Sequence, residues 1–92
     1  MVVARMKRNR QPTPEIRLRL AGNLRRIRKQ RGYTQERLGK LCGLSKNYIS
    51  NIEQKTVNVS LANLEALAIG LNCLEADLVM PIRTGSPMNR GE

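Results

Sequence analysis

The chain has 92 residues, with 17 Lys and Arg against seven Asp and Glu, no His, and a formal charge of +10. That length holds one domain and excludes a Rossmann fold, a barrel enzyme or two separate cores. The absence of His removes the commonest general base and metal ligand, and Cys42 and Cys73 alone cannot complete a four-ligand zinc site.

The apolar spacing is helical throughout residues 14–80. Thr13 is placed to cap a first helix with Pro14 at its first position. That helix runs through Leu20, Leu24 and Ile27 and stops at Gly32. Thr34 caps the second, with Glu36 in the first turn, Leu38 and Leu41 as core residues, and a stop at Cys42-Gly43. Ser45 caps a third helix that buries Ile49 and Ile52. A polar connection from Gln54 to Val59 follows, in which Val57-Asn58-Val59 is too short to make a sheet. Ser60 caps a fourth helix with Leu61, Leu64, Leu67, Ala68 and Leu71 inside, broken at Asn72-Cys73. A short fifth helix carries Leu74, Leu78 and Val79. Outside these elements, residues 1–13 read as a flexible basic arm and residues 81–92 as a disordered tail rich in Pro, Gly and Ser.

The positive charge is unevenly placed. Residues 1–31 hold eleven cations and one acid, a net +10, whereas residues 54–80 are net −2. Such polarity orients a protein on a polyanion. A membrane surface is the weaker candidate, because residues 1–13 form no amphipathic face. No apolar stretch approaches the roughly 20 residues of a membrane span, and Met1–Arg5 lacks the order of a signal peptide. A cytoplasmic protein is expected, without cofactor or metal. With Phe and Trp absent and only two Tyr, a stacking platform for single strands is not expected either.

The second and third helices, joined by a tight turn containing Gly43, have the form of a helix-turn-helix over about residues 35–54. With Ile49 and Ile52 inside, the third helix turns Lys46, Asn47, Ser50 and Asn51 outward, with Ser45 at its front end. A helix meant only for solvent normally mixes Glu and Lys. This face has short hydrogen-bonding groups and no acid, which suits base edges and phosphates.

The run from Ile27 to Glu53, with Arg28, Thr34-Gln35, Leu38, Gly43-Leu44-Ser45 and Ile49-Ser50-Asn51-Ile52-Glu53, resembles the Cro/cI-type (XRE family) helix-turn-helix domain. The run Ser60-Leu61-Ala62-Asn63-Leu64-Glu65-Ala66-Leu67-Ala68 extends the resemblance, which covers residues 20–79. Within that family the chain is similar to short phage repressors and restriction-modification controller proteins. The resemblance implies an all-α, five-helix lambda-repressor-like domain and a sequence-specific regulator, a repressor acting as a homodimer on a palindromic operator. The third helix would lie in the major groove, in the cytoplasm and at the nucleoid.

Residue roles carry over by position. Gln35 falls where the family binds a phosphate at the start of the second helix, and serves otherwise as a cap partner of Thr34. Arg28 and Glu53 match a partly buried ion pair between the first and third helices. Ser45, Lys46, Asn47, Ser50 and Asn51 match base- and backbone-reading positions, and Lys55 and Asn58 lie in a loop that contacts phosphate. Tyr48 either lies against the duplex backbone or packs its ring beside the second helix. Leu71, Leu74, Leu78 and Val79 are candidates for self-association, although the same residues serve as core in a monomer. Gly39 departs from the Ala usual in the family, and Cys42 stands where small residues are usual. The basic arm is longer than the family needs and acts as an electrostatic tether or enters the minor groove. A protein-interaction module is the alternative, as an antitoxin facing a toxin or a partner of RNA polymerase. The pieces of an enzyme active site are missing.

Overall fold

The computed structural model describes residues 15–81, which fold into five helices. In chain order these are α1 (Ile16–Gln30), α2 (Gln35–Cys42), α3 (Lys46–Glu53), α4 (Leu61–Leu71) and α5 (Glu75–Val79). No strand occurs among the described residues, and Val57–Val59 is part of an irregular connection. The expected arm, tail and Thr13-Pro14 cap lie outside the described residues. The observed cap of α1 is Glu15, whose carboxylate accepts from the Arg17 N–H at 2.8 Å and from the Arg17 guanidinium. That pairing holds the Glu15 carboxyl below the usual carboxylate range.

The other N-caps are those expected from sequence. Thr34 Oγ1 accepts from the Arg37 N–H, Ser45 Oγ from the Tyr48 N–H and Ser60 Oγ from the Asn63 N–H, each at 3.0 Å. Leu74 precedes α5 without a side-chain oxygen, and Asp77 reaches back to accept from its N–H at 2.9 Å. At the C-terminal ends, Gly43 stops α2 with φ 74°, and Leu44 N–H closes on the Gly39 carbonyl at 2.8 Å. Two non-glycine residues take the same left-handed geometry. Lys55 (φ 66°) follows α3 and Asn72 (φ 57°) follows α4.

One aliphatic core joins all five helices. Leu20, Leu24 and Ile27 of α1 meet Leu38 of α2, Ile49 and Ile52 of α3, Leu67, Ala68 and Leu71 of α4, and Leu78 of α5. Helix α1 packs against α3 and α5, α2 packs against α3 and α4, and α4 packs against α5. Two expected core residues, Leu41 and Leu61, lie elsewhere, and Leu74, read either as a self-association residue or as core, is exposed. Leu41 is exposed, because α2 turns Leu38 and Cys42, four apart, toward the core and leaves Leu41 off that stripe. Leu61 is 83% exposed, since it is the first residue of α4 and extends beyond the layer below. Leu74 is 66% exposed as the residue before α5, not a member of it.

The basic N-terminal block has internal duties that its charge count hides. Arg19 Nε donates to the Val79 carbonyl at 2.7 Å, at the end of α5. Arg31 Nε donates to the Leu71 carbonyl at 2.9 Å, at the end of α4. Both cations meet the negative end of a helix dipole. Between them Asn23, fully buried, donates from Nδ2 to the Leu78 and Met80 carbonyls and accepts on Oδ1 from Arg26. Helix α1 therefore clasps the C-terminal ends of α4 and α5 with polar side chains, and so fixes the frame that carries α2 and α3. No helix among the described residues is long and apolar enough to cross a membrane.

Candidate nucleic-acid interface

Helices α2 and α3 are separated by three residues, and Gly39 sets how closely they meet. A Cβ built on Gly39 would stand 2.5 Å from the Leu44 carbonyl oxygen and 3.4 Å from the Lys46 nitrogen. The turn thus lies against the bare backbone of α2, which fixes where the first residues of α3 emerge. The contact is with backbone, which cannot swing aside.

From that turn, α3 presents two faces. Ile49 and Ile52 are buried. Ser45, Lys46, Asn47 and Asn51 are exposed together at the surface, with Ser50 half-buried beside them. Ser45 Oγ is engaged as the cap, and Ser50 Oγ accepts from Gln54 Nε2 at 3.1 Å. Helix α3 contains one acid, Glu53, and it turns inward. Its carboxylate accepts from Arg28 Nε at 2.6 Å and from Arg28 Nη2 at 3.0 Å, with side chains only 10% (Arg28) and 6% (Glu53) exposed. The exposed face of α3 is therefore left with amides, hydroxyls and the Lys46 ammonium, and no carboxylate. Such a surface offers paired donors and acceptors for base edges and positive charge for phosphate.

The ion pair is bidentate and has further partners. Arg28 Nη1 also donates to the Tyr33 carbonyl at 2.8 Å. Gln35 Nε2 donates to Glu53 Oε1 at 3.1 Å. Gln35 is thus half-buried and joined to α3 by its side chain, a link that sequence spacing did not reveal. Its backbone N–H stays in the first turn of α2, where helix N–H groups have no carbonyl of the same helix to meet. Neither of the two sequence readings of Gln35 included this role as a strut between α2 and α3.

Tyr48 lies half-buried against the core, and its hydroxyl accepts from Asn63 Nδ2 at 3.0 Å. The hydroxyl's partner is on α4. Lys55 is exposed directly after α3, in its left-handed conformation. Asn58, three residues further on, is also exposed. It borders a shallow apolar groove of about 180 Å³ lined by Ile16, Leu20, Leu61 and Val79, on the side where α1, α4 and α5 meet.

The candidates for self-association divide. Leu71 and Leu78 are fully buried in the core and are unavailable to a partner. Leu74 is exposed and Val79 half-buried. The same two-helix segment also exposes Ile69, at 71%, which helical spacing from Leu61, Leu64 and Leu67 did not single out. The thiols of Cys42 and Cys73 are half-buried, and burial pushes both above the usual thiol range.

Residues 24–78 match the family model described as Helix-turn-helix, HTH_3. The chain is 37% identical over 67 residues to a hypothetical transcription factor of Neisseria meningitidis, covering 73% of this chain and 63% of that protein. It is 40% identical over 68 residues to the control protein C.BamHI of Bacillus amyloliquefaciens, covering 73% of this chain and 84% of that one. Among solved structures, the Neisseria factor superimposes with a TM-score of 0.71 at 35% identity, over 78% of this chain and 86% of that one. The restriction-modification controller protein C.AhdI of Aeromonas hydrophila superimposes with a TM-score of 0.66 at 34% identity, over 67% and 94%. The helical order, the inward Arg28–Glu53 pair and these matches agree, and the chain belongs to the HTH_3 (XRE-type) helix-turn-helix family of transcription regulators.

Proposed function

We propose that this chain is a double-stranded DNA-binding transcriptional repressor that acts as a homodimer on a palindromic operator, with α3 in the major groove. The observation that carries the reading is the acid-free exposed face of α3, formed because Arg28 draws the helix's single carboxylate inward. Similarity to control proteins of restriction-modification systems supports the same class of activity. In this reading Lys46, Asn47 and Asn51 face base edges. Ser45, Tyr48, Ser50, Lys55 and Asn58 approach the sugar-phosphate backbone, and Gln35 offers its helix N-terminal N–H to a phosphate. One such unit reads only a few base pairs, so two are required, about 34 Å apart on one face of the duplex. Leu74, Val79 and Ile69 supply apolar surface for pairing. The protein would work in the cytoplasm at its operator, without a small-molecule cofactor.

The test is a footprint on the DNA upstream of the protein's own gene, against a random duplex at near-physiological salt. Protection of two half-sites is expected. Lys46→Ala and Asn47→Ala should each weaken operator binding by about 1–3 kcal/mol and leave the random duplex nearly unchanged. Equal losses on both duplexes would show that α3 is not the reader.

A further inference from the structure

Tyr48 connects the reading helix to a residue beyond the helix-turn-helix. Its ring packs against the core while its neighbours Lys46, Asn47 and Asn51 are exposed. Its hydroxyl accepts from Asn63 Nδ2 at 3.0 Å, a contact between residues 15 positions apart. Asn63 is itself held firmly. It is the third residue of α4, and its N–H donates to Ser60 Oγ at 3.0 Å. At the other end of α3, Glu53 is held by Arg28 and Gln35. The Tyr48–Asn63 bond thus ties the first turn of α3 to α4.

A phenol has one proton to donate and two acceptor positions. Asn63 fills an acceptor position, so the Tyr48 proton is not used in this contact and remains for an outside acceptor. We infer that Asn63 is a positioning residue for DNA binding, holding the Tyr48 oxygen so that its O–H donates to a backbone phosphate beside α3. This rests on the DNA-binding reading above. In such an arrangement Asn63 touches no nucleotide and acts through Tyr48 alone.

The experiment is a double-mutant cycle, with Tyr48→Phe, Asn63→Ala and the pair measured by anisotropy on the footprinted operator duplex. Thermal unfolding of each variant runs alongside. Tyr48→Phe keeps the ring and its packing, so it reports the hydroxyl and not the fold. A hydrogen bond to a charged acceptor predicts about a tenfold loss for that variant. Asn63→Ala should weaken binding in the wild-type background and cause no further loss in the Tyr48→Phe background. Asn63→Asp, an acceptor that captures the Tyr48 proton, should weaken operator binding more in the wild-type background than in the Tyr48→Phe background, where only its added charge acts. Losses that add across the cycle, or an operator affinity unmoved by Tyr48→Phe, would overturn the inference while leaving the footprint intact. A wild-type protein that protects no site would overturn the DNA-binding reading and this inference together.

Discussion

The carboxylate of Glu53 is held by three side-chain hydrogen bonds. It accepts two bonds from Arg28 and one from Gln35, and so ties α1, α2 and α3 at one point. Removing its charge leaves a guanidinium largely shielded from water with no counter-charge. Glu53→Gln is therefore expected to destabilise the fold by about 3–5 kcal/mol, read from urea unfolding. A loss below about 1 kcal/mol would mean that the pair behaves as an exposed one. The sequence pointed to Arg28 and Glu53 only through the resemblance, since the residues are 25 positions apart and nothing local couples them. Gln35 was legible as a helix start, because a Thr-Gln step at a cap is a local signal. Its bond to Glu53 was not, because that bond depends on how α2 crosses α3.

At the scale of the element, α2, the turn and α3 form the unit that aims the exposed side chains. The caps Thr34, Ser45 and Ser60 were all legible, because a hydroxyl ahead of a helical apolar pattern acts within three residues of itself. The cap of α1 was placed too early, at Thr13, where Pro14 gave the stronger local signal and Glu15 the observed cap. Two opposed terms meet at Gly39. Alanine there gains about 1 kcal/mol in helix propensity but brings a methyl group against the Leu44 carbonyl. Gly39→Ala is expected to destabilise by about 1–2 kcal/mol net, because the backbone oxygen cannot swing aside and the overpacking outweighs the propensity gain. Gly39→Val has the same clash with no propensity gain to match, and should cost about 2–3 kcal/mol by chemical denaturation. A valine variant as stable as wild type would mean that the turn stands off from α2.

At the scale of the whole molecule, α1 is the frame. Arg19, Asn23 and Arg31 bind carbonyls 40 to 60 positions away and hold the ends of α4 and α5. These contacts draw on the same basic block whose charge, as a count, pointed toward a polyanion. With Leu71 and Leu78 inside, the proposed homodimer is left the exposed apolar set on α4 and before α5 as its surface. Ile69→Glu combined with Leu74→Glu is expected to leave unfolding cooperative and convert a dimer to a monomer in sedimentation. It should weaken operator binding far more than binding to a single half-site. A double variant that sediments as a dimer would place the interface elsewhere.

The sequence by itself determined the helix count, three of the five N-caps, the stop at Gly43, the aliphatic core of α1 and α3, and the chemistry of the outward face of α3. Each follows from spacing within one or two helical turns, where backbone geometry alone relates the side chains. Only the tertiary structure decided that Leu41, Leu61 and Leu74 lie at the surface, since residues at helix ends are covered or left bare by neighbours that periodicity does not see. It decided too that Arg19 and Arg31 close other helices, that Gln35 braces Glu53, and that Tyr48 meets Asn63. Those pairings join residues 15 to 60 positions apart, and packing, not sequence neighbourhood, sets which of them come within hydrogen-bond reach.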